Sequence, residues 1–71
     1  MKITGTNSYI QIETDERVVR FSGERIVGGF IAFKSSAVLV NGMPLDAQAI
    51  SDIIDAVTLK TKSSHMVIVF E

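Results

Sequence analysis

The chain contains no cysteine and no tryptophan. Without a thiol it can form neither a disulfide nor a thiolate metal site. Histidine, proline and tyrosine each occur once. The one histidine, His65, would need an oriented nucleophile or carboxylate to act as a general base. Its neighbours along the chain are Ser63 and Ser64, and serine beside histidine in sequence is not a triad. His65 reads as a turn residue opening a strand.

Neither sign of charge dominates, with seven basic residues against eight acidic and a net charge of −1. There is thus no basic stripe of the kind that holds nucleic acid, and no charge block of a disordered tail. No segment reaches the ~20 apolar residues of a membrane span. The opening Met1-Lys2-Ile3-Thr4 lacks the apolar run of a signal peptide. The expected location is the cytoplasm, with neither membrane nor nucleic acid as partner.

What the chain does have is apolar residue in quantity. Hydrophobic residues make up 46% of 71 positions, and the mean hydropathy is +0.33. This length predicts one domain spanning residues 1–71. A chain so short buries only about 60% of its unfolded surface. It therefore carries more apolar side chain than one small core hides, and a homodimer or larger assembly is the simplest remedy.

One stretch carries a clear helix signal. Asp46 is a good N-cap, and Pro44 prevents an earlier start. Ile50, Ile53, Ile54 and Val57 follow at i, i+3, i+4 and i+7, which predicts a helix from Asp46 to Lys60 with one apolar stripe. Asp46, Asp52 and Asp55 precede Lys60 and Lys62, the order that suits the helix dipole.

The rest reads as strand. Tyr9–Glu13 alternates, Thr14-Asp15-Glu16 is turn material, and Arg17–Ser22 returns as the second arm of a hairpin. Arg25-Ile26-Val27, between glycines, is too short to place. Gly28-Gly29 permits a bulge or bend and lacks the lysine and spacing of a phosphate loop. Phe30–Lys34 and Ala37–Val40 are two further strands, and Asn41-Gly42 ends the second. His65–Phe70, apolar on both faces, predicts a strand inside the sheet or covered on both sides.

The predicted class is α+β in the order β-β-β-β-α-β, a mainly antiparallel sheet with one helix packed on one face. Alternation assigns Ile10, Ile12, Val19, Phe21, Ile31 and Phe33 to the helix side. It leaves Tyr9, Gln11, Glu13, Val18, Arg20, Phe30, Ala32 and Lys34 on the other.

That second face mixes aromatic, aliphatic and charged groups, as protein interfaces do. Tyr9, Gln11, Arg20, Phe30 and Lys34 are its candidate partner-binding residues, with Tyr9, Arg20 and Phe30 at the centre. Arg17, Arg20, Arg25 and Lys34 beside Tyr9 and Phe30 also resemble a base-stacking platform. Glu13, Asp15, Glu16 and Glu24 neutralise that region. Asp52 and Asp55 share a helix face but lack the further ligands a cation site needs. No catalytic, cofactor or metal residue is predicted.

Taken together, KITGTNSYIQIE, RVVRFSGE, GGFIAFKSS, MPLDAQAISDIIDAV and the closing strand resemble a family of small bacterial immunity proteins of polymorphic or contact-dependent toxin systems. The resemblance spans nearly the whole chain and rests on strand patterns and turn residues. It implies a cytoplasmic protein that binds a cognate toxin and neutralises it by steric occlusion, without catalysis. Nuclease inhibitors are often strongly acidic. This chain is nearly neutral, which points to a toxin of another kind or to a largely apolar contact. The alternatives are a structural homo-oligomeric module and a small enzyme whose site forms between subunits. The enzyme needs a convergent polar pocket, which the sequence does not offer.

Overall fold

Asp46 starts the helix as its residue type predicts. In the computed structural model, which describes residues 1–71, its carboxylate accepts the Ala49 N–H at 2.7 Å, closing one of the free donors of the first turn. The helix, α1, spans Ala47–Thr61.

Its buried line is Ala49, Ile53, Val57 and Thr61, an i, i+4 row turned slightly from the predicted stripe. Ile50 and Ile54 are half-buried on its flank. The buried Thr61 hydroxyl donates to the Val57 carbonyl (2.9 Å) and accepts the Ile68 N–H (3.2 Å). That bond draws the end of the helix onto the last strand.

Six strands form one sheet: β1 (Lys2–Gly5), β2 (Tyr9–Glu13), β3 (Arg17–Ile26), β4 (Gly29–Ala32), β5 (Val38–Gly42) and β6 (Val67–Phe70). The class is α+β, and the predicted order holds with one short strand, β1, added at the front. The order across the sheet is β1-β2-β3-β4-β6, with β5 also pairing with β3. All pairs are antiparallel except β4 with β6.

β3 is the spine. Its first half, Arg17–Ser22, lies between β2 and β5, and beyond Gly23 it pairs with β4. A Cβ on Gly23 would collide with the Ile31 carbonyl and the Phe30 ring, so glycine is what lets β3 pass this close to β4. Strands β4 and β5 follow the same edge of β3, interrupted by a 3-10 turn at Lys34–Ser36. There the Ser36 hydroxyl accepts the Ser22 N–H at 2.8 Å. A side chain thus fills a gap in the backbone ladder.

The sequence reading stops the hairpin arm at Ser22, but β3 runs on to Ile26. Ile26 pairs with Gly29 across a two-residue turn, Val27-Gly28. Gly28 has φ +79°, the conformation that a type II turn requires at its second central position.

This tight turn corrects the facing of β4. Phe30 lies opposite Arg25, an even number of residues from Phe21, so it points to the core. Phe30 and Ala32 are buried, while Phe33 is 41% exposed and Ile31 half-buried. The predicted assignment of these four residues is inverted. Treating residues 23–29 as an irregular loop breaks the alternation, and one residue of slip exchanges the two faces.

The core comprises Ile10, Ile12, Val19, Phe21, Phe30, Ala32, Ile53, Val57 and Ile68. Phe70 packs edge-on to Phe21, with ring centroids 5.1 Å apart, a geometry worth about 0.5–1.5 kcal/mol beyond area burial. The placing of His65–Phe70 inside the sheet is also corrected. β6 is an edge strand with Val67 and Val69 exposed on its outer side. No helix is long and apolar enough to cross a membrane.

Candidate functional site

The face of the sheet away from α1 divides at Gly23. On the side of β1, β2, β5 and the first half of β3, cross-strand pairing sets residues in rows. Thr4, Gln11, Arg20 and Val38 form one row, and Lys2, Glu13, Val18 and Asn41 the next. A bulge at Val40 re-aims β5 between the two rows.

Arg20 is the centre of this face. Its Nη2 donates to the Gln11 Oε1 at 3.0 Å. Its guanidinium carbon lies 4.2 Å from the centroid of the Tyr9 ring, one diagonal step away on β2. A cation over a ring at this distance is worth about 0.5–1 kcal/mol when exposed. The guanidinium thus contacts two β2 side chains at once.

Tyr9, Gln11 and Arg20 are thus brought together as predicted. Phe30 is not with them, since it is 1% exposed and on the opposite face. Lys34 also lies apart, in the 3-10 turn, with its N–H donating to the Glu71 carbonyl at 2.8 Å. The basic residues do not gather into a platform. The Arg17 Nε donates to the Met43 carbonyl, and Arg25 stands at the far end of β3 beside Ile3 and Met66.

Val38, 59% exposed beside Arg20, was not singled out by sequence. The strand Ala37–Val40 was legible, but its register against β3 was not. Thr61 had a visible signal, since it extends the Ala49-Ile53-Val57 row by one step of four. Ser36 had none.

The remaining polar groups are occupied locally. The Ser64 hydroxyl reaches the Thr61 and Met66 carbonyls and closes the turn before β6, which leaves His65 exposed and without a serine partner. Asp52 accepts the Gln48 Nε2–H at 2.9 Å along the helix. No group of three histidine, aspartate or glutamate side chains converges.

The face therefore offers an arginine–tyrosine–glutamine cluster with aliphatic flanks and a polar rim. That arrangement suits a protein ligand. Over residues 2–71 the sequence matches the family described as Immunity protein 74.

The chain belongs to that family. The match covers every strand and the helix, so the fold described above is that of the family's region in this chain. No curated protein and no solved structure matches it. An immunity family sets the general expectation of a toxin partner.

Proposed function

We propose that this protein neutralises a cognate toxin by binding it and covering a surface the toxin needs, in the cytoplasm and without chemistry of its own. The 71 residues act as one domain. Membership of an immunity family supports the role. The observation that supports the surface is the Arg20–Tyr9–Gln11 cluster. Arginine and tyrosine dominate the energetics of interfaces. Here the arginine already rests on Tyr9 and Gln11 in the free protein, which lowers the side-chain freedom that binding would cost. The surrounding Thr4, Glu13 and Ser22 are polar and keep the free face soluble.

The experiment is calorimetric titration with the cognate toxin domain, with a thermal melt of each variant. Arg20→Ala and Tyr9→Ala are each expected to weaken binding by more than ~1 kcal/mol, the threshold for an energetically important interface residue. Unchanged affinity in both variants, with folding intact, would move the site to another surface.

We further propose that the protein self-associates. The exposed apolar residues Ile26, Val67 and Val69 on the other half of the same face support this reading.

A further inference from the structure

Beyond Gly23, β3 outruns its neighbour on one side. The pairing of β2 with β3 ends at Tyr9 opposite Ser22, and the Gly23 N–H donates to the Ser8 carbonyl at 3.0 Å. Even-numbered residues of β3 turn their backbone groups to β4, since the Ser22 carbonyl accepts the Phe33 N–H. By alternation, the Arg25 N–H and carbonyl point to the side that β2 has left.

The Arg25 side chain turns to the core side of the sheet, because it lies opposite Phe30. There it lines a cavity of about 210 Å³ beside the β1–β2 turn. Buried Ile10, Phe30 and Ile68 form the floor, and Thr6 and Arg25 stand exposed at the rim. No acidic residue lines this cavity. Arg17 and Arg20 have partners in Met43 and in Gln11 with Tyr9. The Arg25 guanidinium makes neither a hydrogen bond nor an ion pair. The Thr6 hydroxyl accepts the Ser8 N–H at 3.1 Å and keeps its own proton to donate.

Small-molecule pockets run to about 300–1,000 Å³. This one is smaller, and its apolar floor suits one side chain rather than a cofactor. Its rim offers donors and a positive charge, the complement of a carboxylate. We propose that the cavity receives the C-terminal residue of the toxin, with an apolar side chain on Phe30 and the terminal carboxylate on the Arg25 guanidinium and N–H. This rests on the toxin-binding reading and adds a second contact to it, across the β1–β2 turn from Tyr9.

Geometry selects a chain end. The apolar group and the anion must meet in one small cavity, and a terminal residue carries both on a single Cα. Within an extended segment, neighbouring side chains point to opposite faces. An acidic neighbour would therefore turn away from Arg25.

The test is NMR titration of the isotope-labelled chain with N-acetyl-L-leucine, with its amide and with N-acetylglycine. The amide lacks the charge, and N-acetylglycine lacks the side chain. N-acetyl-L-leucine is expected to shift the Gly5, Thr6 and Arg25 amides and to bind about 10-fold more tightly than either of the others, or better. Arg25→Gln is expected to bind acid and amide equally, with its circular dichroism unchanged. Lys60→Gln, which removes an exposed charge elsewhere, should keep the preference for the acid.

Equal affinity of the wild type for acid and amide, or a preference that survives Arg25→Gln, overturns the site. Acetyl-leucyl-glutamate diamide binding as tightly as N-acetyl-L-leucine assigns the cavity to an internal acidic segment and overturns the chain end as occupant. In calorimetry, the cognate toxin domain lacking its last three residues is expected to bind about 10-fold more weakly than the intact domain. Unchanged affinity overturns the toxin as source of the chain end and leaves the Arg20–Tyr9 reading standing. A toxin domain that does not bind the wild type overturns both.

Discussion

The two halves of β3 make different surfaces from similar composition. Between Arg17 and Ser22, the strand sits between β2 and β5, and its outer side carries Arg20 stacked on Tyr9. Beyond Gly23, it pairs with β4, which passes the sheet on to β6, and the outer side carries Ile26, Ile31, Val67 and Val69 around a single carboxylate, Glu24. One half carries an arginine bonded to glutamine and stacked on tyrosine. The other is mostly apolar and ends at the edge strand β6. Charge placement along a single continuous strand separates a face bearing an arginine cluster from a mostly apolar one.

The sharpest way to break this comparison is to test the facing of β4. Phe30→Ala empties the core side of the second half and is expected to cost about 3–5 kcal/mol. Phe33→Ala, three residues on and exposed, is expected to cost under about 1 kcal/mol. Urea denaturation of the two variants decides it. Equal losses would mean that the alternation of β4 is not the one described.

The boundary between the halves is tested next. Gly23→Ala drives a methyl into the Ile31 carbonyl and the Phe30 ring. The expected loss is about 1–3 kcal/mol, the range for overpacking, measured by thermal or urea unfolding. A neutral Gly23→Ala would mean that β3 and β4 can separate there without cost.

Thr61→Val keeps the shape of the helix end but strands the buried Ile68 N–H. About 1–2 kcal/mol should be lost. Exchange of the Ile68 amide should quicken, and an unchanged exchange rate would show that Thr61 does not guard this edge.

The smallest effect on stability belongs to Arg20→Ala. Its contacts are exposed, and about 0.5–1 kcal/mol or less is expected from melting. A larger loss would make the cluster a structural device of the first half rather than a binding surface.

The first half was legible in the sequence because local signals suffice there. Tyr9-Ile10-Gln11-Ile12 and Val18-Val19-Arg20-Phe21 alternate cleanly, and a short polar turn joins them. Facing and pairing followed, and with them the meeting of Tyr9, Gln11 and Arg20. The second half was not legible. Phe30, Ile31 and Phe33 place apolar side chains on both faces, so composition cannot tell core from surface. Only the register across Val27-Gly28 decides it.

Sequence by itself determined the class, the order of elements, the N-cap at Asp46, the strand Tyr9–Glu13 and the resemblance to immunity proteins. Each depends on residues close along the chain, where periodicity and backbone preference act directly. Tertiary structure decided which strand lies at the edge, which side of β4 is buried, and which row of α1 faces the sheet. These depend on how separate elements meet rather than on the pattern within one: Arg25 opposite Phe30, Ile68 held by Thr61, Ser36 bridging Ser22. A half-turn in any one of them would leave the local pattern unchanged and give the molecule a different surface.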